Sequence, residues 1–144
     1  MKALFAALVL AVPTLASAGE LSAIVGRYLY SDYAVTLPNG RVLHLRDINA
    51  TSASLDVTAA DTVTLRMTMG SGEVVVQTAQ ILEAHLMNGI GFWRAKWPDM
   101  NYAVRTDFTV KGDTLTTVTK FDNPFDERRY GSVERATLNK VAGK

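Results

Sequence analysis

The sequence predicts an all-β protein, an antiparallel up-and-down β-barrel of about eight to ten short strands, with a β-sandwich as the alternative. Three observations carry this. Runs of alternating apolar and polar residues, rich in Thr and Val, fill most of the chain, and a period of two marks strands with one buried face. Gly, Asn-Gly and Pro-Asn-Gly punctuate those runs at short intervals, so consecutive strands join by tight turns into a meander. A long meander has two unpaired edges, and closure into a barrel removes both.

The chain opens differently. Lys2 precedes an apolar run from Ala3 to Val12, then Pro13 and the small residues Ala16-Ser17-Ala18. A charged start, a short apolar core and an A-x-A site predict a signal peptide over residues 1–18. The run is too short to span a bilayer, and no integral membrane segment is expected after it. Taking 18 residues from the 144 leaves 126, read as one domain over residues 19–144. Of 15 basic and 14 acidic residues only Lys2 is lost, so the mature chain is neutral. Neutrality and the lack of a basic run argue against nucleic-acid binding. With no cysteine, there is no disulfide, thiol chemistry or lipid-attachment residue, and core burial alone must stabilise the fold. The expected address is the periplasm or the extracellular medium.

The first strand opens at Val25-Gly26-Arg27-Tyr28. Pro38-Asn39-Gly40 turns the chain between strands over Tyr33–Leu37 and Arg41–Ile48. Gly70-Ser71-Gly72 separates Val63-Leu65-Met67-Met69 from Val74-Val76. The clearest hairpin centres on Asn88-Gly89, suited to a type I′ turn. Pairing outward from it sets Met87 opposite Ile90, His85 opposite Phe92, Glu83 opposite Arg94 and Ile81 opposite Lys96. The other face sets Leu86 against Gly91, Ala84 against Trp93, Leu82 against Ala95 and Gln80 against Trp97. The Glu83–Arg94 match favours this hairpin over a short helix across Thr78–Met87. A second hairpin about Lys111-Gly112 pairs Phe108 with Leu115, Thr106 with Thr117, Val104 with Thr119 and Tyr102 with Phe121 on its apolar face. Asp107 and Arg105 fall on the solvent face. The last strand is expected from about Arg128 to Asn139, with a frayed end from Val141.

This layout resembles the small lipocalin-like, or calycin-type, barrels. Gly26-Arg27-Tyr28 resembles the G-x-W signature of their first strand, with Tyr28 in place of Trp. Gly112-Asp113-Thr114-Leu115, then Arg128-Arg129-Tyr130 and a final alternating strand, resemble the close of such barrels. Arg128 and Tyr130 are similar to the Arg-x-Tyr pair that binds carboxylate in fatty-acid-binding proteins. The resemblance implies a small apolar or amphipathic ligand held inside the barrel.

The residues expected to bind it are Tyr28, Met67, Trp93, Trp97, Tyr102, Phe108, Phe121, Arg128 and Tyr130. Tyr28, Trp93, Trp97, Tyr102, Phe108, Phe121 and Tyr130 form the aromatic set assigned inward, and they would either line a pocket or fill the barrel. Met67 and Met69, with Met87 and Met100, suit an adaptable apolar wall as well as an irregular core. His44 and His85 belong to no metal-ligand spacing, and His85 is expected outside, stacked near Phe92. The acidic stretch 121–127 lacks the EF-hand pattern and reads as a turn capped by Asp and Asn. No nucleophile elbow, phosphate loop or dinucleotide fingerprint is present. The expectation is therefore a non-enzymatic carrier without cofactor or metal. Its rival is a periplasmic protein-binding module, an inhibitor or envelope-assembly factor, using the outer face near Phe92 and His85. An enzyme built on Asp107, His44 or His85 requires those groups to converge.

Overall fold

The hairpin at Asn88-Gly89 sets the pattern of the barrel. The computed structural model describes residues 21–142, so the signal-peptide reading of residues 1–18 lies outside the described residues. Asn88 and Gly89 have φ of 55° and 77°, both positive as a type I′ turn requires. They join β5 (Val74–Met87) to β6 (Ile90–Lys96). The register runs as expected from Met87 opposite Ile90 to Glu83 opposite Arg94. There it changes. A β-bulge between Ile81 and Glu83 places Ile81 opposite Ala95 and Gln80 opposite Lys96, in place of the expected Lys96 and Trp97. The bulge reverses the alternation once. Ile81 and Ala84 can then both face the core while Leu82 stays 56% exposed.

The next hairpin joins β7 (Val104–Lys111) to β8 (Thr114–Lys120). Its turn is Gly112-Asp113, with φ of 58° at Gly112, one residue later than expected. Phe108 therefore pairs with Thr117 and Thr106 with Thr119, rather than with Leu115 and Thr117. The register is offset by two residues, and an even offset leaves every side chain on its face. Val104, Thr106, Phe108, Leu115, Thr117 and Thr119 are buried, and Arg105 and Asp107 are exposed.

The remaining strands are β1 (Gly26–Thr36), β2 (Val42–His44), β3 (Ala50–Val57), β4 (Thr62–Met69) and β9 (Val133–Lys140). Eight strands, β1 and β3 to β9, form a closed antiparallel barrel, sealed by pairing of β1 with β9 from Tyr28–Lys140 to Thr36–Val133. That closure settles barrel against sandwich. β2 is an extra strand on the far half of β1, from Ala34–His44 to Thr36–Val42. The strand expected to continue to Ile48 instead turns into a short 3-10 segment, Leu45–Ile48. Asp47 stops it, because its carboxylate accepts the His44 N–H at 2.7 Å. The last strand begins at Val133 rather than Arg128. Residues 121–132 are a loop, pinned where Gly131 N–H meets the Phe121 carbonyl and Tyr130 N–H the Asp126 carbonyl.

The two ends of the barrel differ. At the end holding the Asn88-Gly89 and Gly112-Asp113 turns, Leu21 and Ile24 close the base beside Tyr28, Val57, Val63, Ala79, Ile81, Leu115 and Leu138. The Tyr28 hydroxyl donates to the Ile24 carbonyl at 2.8 Å. Trp93 packs on Phe108 above them, ring centroids 5.0 Å apart, and its cross-strand partner on β5 is the small Ala84. The other end carries the loops 37–41, 70–73, 97–103 and 121–132.

Candidate functional site

At that second end several inward positions are small or polar. Ala53 on β3, Thr106 on β7 and Thr117 and Thr119 on β8 follow the large residues that fill the base. Side chains of that volume leave an eight-stranded barrel unfilled. The result is a cavity of about 220 Å³. Its apolar wall is Leu55, Leu65, Met67, Trp93 and Val104, with Trp97, Met100, Phe121 and Leu45 toward the mouth. Tyr30, Tyr33, Gln77, the threonines, Glu134, Asp99 and Arg129 supply polar atoms.

Glu134 is the central electrostatic feature. It follows the alternation of β9, on the same face as buried Ala136 and Leu138. The residue is half-buried and borders the cavity. Tyr33 donates its hydroxyl to Glu134 Oε2 at 2.8 Å. No basic side chain pairs with this carboxylate among the described residues. Burial pushes the carboxyl above the ordinary glutamate range, and the Tyr33 hydrogen bond opposes that shift. The Tyr30 and Tyr33 phenols are pushed strongly upward, first by burial and then by the Glu134 charge. Their rings meet edge to face, 5.8 Å apart.

The mouth has its own network. Arg129 gives Nη1 to Asp126 at 2.9 Å and Nη2 to Asp99 at 2.5 Å. Tyr102 donates to the same Asp126 carboxylate. These bonds tie the 97–103 loop to the 121–132 loop. They hold Asp126 below the usual aspartate range, with Tyr102 the larger cause, and burial beside Asp126 pushes the Tyr102 phenol up to about 12. Deeper in, the Thr106 and Thr119 hydroxyls bond to each other at 2.7 Å.

Of the residues singled out from the sequence, Met67, Trp93, Trp97 and Phe121 converge on the cavity. Tyr28 and Phe108 belong to the packed base. Tyr102 and Tyr130, read as inward, sit in loops because β7 begins only at Val104 and β9 at Val133. Tyr130 is half exposed, and Arg128 is exposed beside it. The arginine reaching the cavity is its neighbour Arg129. Met100 lines the mouth, whereas Met87 is exposed at the hairpin tip. His85 lies outside against Phe92, centroids 5.0 Å apart, and the Arg105 guanidinium sits over the Phe92 ring, 3.9 Å from its centroid. His44 on β2 approaches the Tyr33 carbonyl, so His44, His85 and Asp107 do not converge. In the acidic stretch, Asn123 Oδ1 accepts the Phe125 N–H at 2.9 Å, the expected side-chain-capped turn. Among the described residues no three His, Asp or Glu side chains are grouped to hold a metal ion.

The sequence reading missed Tyr30, Tyr33, Glu134 and Arg129. Glu134 had a usable signal, its period-two spacing from Ala136 and Leu138. Tyr30 and Tyr33 are separated by a register shift in β1 between Tyr30 and Asp32, which breaks the alternation that would group them. No family model matches the chain, and neither a curated protein nor a solved structure matches it.

Proposed function

We propose that this protein is an exported, non-enzymatic, lipocalin-like carrier that holds a small amphipathic molecule in the open half of its barrel, in the periplasm or outside the cell. One observation supports this most. The barrel is tightly packed at one end and keeps a ring-lined cavity with a few convergent polar groups at the other, as small-molecule sites do. A volume of about 220 Å³ lies below the roughly 300–1,000 Å³ of pockets for drug-sized ligands. It suits a one- or two-ring molecule better than a long fatty acid. The test is native mass spectrometry of protein purified from an exported fraction without organic solvent. A discrete added mass that disappears on denaturation supports the carrier. A bare mass, with Trp fluorescence unmoved by a panel of small aromatic and aliphatic compounds, rejects it.

A second reading, docking of an envelope protein partner on the outer wall, draws on the exposed Val74, Val76 and Leu82 of β5 and on Met87 and Ile90 at its tip. Crosslinking from these positions in the envelope fraction tests it.

A further inference from the structure

We infer that the molecule this cavity accepts is a small organic cation, an amine with an apolar or aromatic body, whose ammonium group meets the Glu134 carboxylate. This rests on the carrier reading above and specifies its ligand.

Three features argue for the positive charge. First, Glu134 is half-buried on the inward face of β9, borders the cavity and spends one hydrogen bond on Tyr33. A carboxylate accepts about four hydrogen bonds, so it retains capacity toward the cavity. A carboxylate partly withdrawn from water without a cation is costly to keep charged, and an incoming ammonium supplies the missing partner. Second, the wall offers no competing cation. Arg129 is its only basic side chain among the described residues, and Asp126 and Asp99 already hold both of its terminal nitrogens. Glu134 and Asp99 against Arg129 leave the lining net negative, which disfavours a carboxylate ligand. Third, Trp93, Trp97, Tyr30 and Tyr33 bring aromatic rings to the same space, and ring faces attract ammonium groups while ring bodies accept an apolar frame.

The experiment uses three probes that share one ring and chain length and differ in charge: phenethylammonium, phenethyl alcohol and phenylacetate. Each is titrated into the processed protein near neutral pH, followed by calorimetry and Trp fluorescence. The cation is expected to bind ~10-fold or more tightly than the alcohol, the margin of one charge-assisted hydrogen bond, and phenylacetate most weakly. The near-isosteric Glu134→Gln is expected to erase the cation's advantage and leave the alcohol within ~3-fold of its original affinity. Equal affinities for the three, or a Glu134→Gln protein that keeps the preference, overturns the inference. Tighter binding of the alcohol or phenylacetate overturns the cation while the carrier stands. Binding of none overturns it too, and with a bare native mass the carrier falls as well. The order of affinities on the unaltered protein decides the point even where the variant does not fold.

Discussion

Replacing Thr106 and Thr119 by valine, singly and together, measures whether the cavity is wet. The two hydroxyls are cross-strand partners on β7 and β8, 2.7 Å apart, and their residues are only 8% and 5% exposed. Valine keeps the branched shape and the strand propensity, so the change is confined to the hydroxyl. Either single substitution removes the mutual bond and orphans the other hydroxyl. Leaving a buried polar group unsatisfied costs ~1–3 kcal/mol. Both residues border the cavity, so water can reach the orphan, and each single variant should lose about 1 kcal/mol. The double variant has no orphan and should be close to the original stability. The coupling is then ~1–2 kcal/mol, well above the ~0.5 kcal/mol scatter of independent sites. Urea unfolding followed by Trp fluorescence, with equal m-values across the four proteins, reads it directly. Single losses that simply add in the double variant would refute the reasoning. Losses near 3 kcal/mol would mean a dry cavity.

Three further outcomes follow from the structure. A methyl added at Gly91 would fall 2.1 Å from the His85 backbone oxygen and 2.9 Å from Phe108 Cζ; since backbone must move, Gly91→Ala should lose ~1–3 kcal/mol or more, seen as a lower thermal midpoint, and an unchanged midpoint would contradict the close approach of β5 and β6. Tyr28→Phe leaves the buried Ile24 carbonyl without its 2.8 Å donor and should cost ~1–3 kcal/mol without altering ligand titrations, because Tyr28 lies in the packed base. Glu134→Gln should stabilise the unliganded protein near neutral pH: burial raises the folded carboxyl's pKa, so the cost of its charge is complete above that raised value and disappears as pH falls toward the ordinary 4.5. The variant's advantage in urea midpoint should therefore shrink between neutrality and pH 4.5, and a variant less stable than the original at neutrality would refute a net cost of the Glu134 charge.

Local rules made much of the barrel legible. Asn88-Gly89 needs two positive φ angles, and that demand is a property of two adjacent residues, so the turn and the pairing beside it could be read directly. The face of each residue on β7 and β8 was equally legible, because an alternation survives an even slip of register. The partner of each residue was not, because Lys111-Gly112 and Gly112-Asp113 are both acceptable turns and only packing across the barrel chooses between them. The bulge at Leu82 has the same origin: Ile81 and Ala84 are both drawn inward by core neighbours on other strands. For the site, Trp93, Met67, Trp97 and Phe121 could be picked out by type and alternation. Arg129 could not be told from Arg128, since the 121–132 loop has no period and the choice rests on Asp99, 30 residues away.

The sequence by itself determined an all-β chain, its main turns and which residues alternate inward, since each depends on neighbours within a few positions. Tertiary structure decided that the barrel closes through β1 and β9, that one end fills while the other stays open, and that Glu134 meets Tyr33, 101 residues earlier in the chain. A cavity is the space that distant side chains leave between them, and a carboxylate's environment is the sum of their fields. Neither exists until the strands have closed.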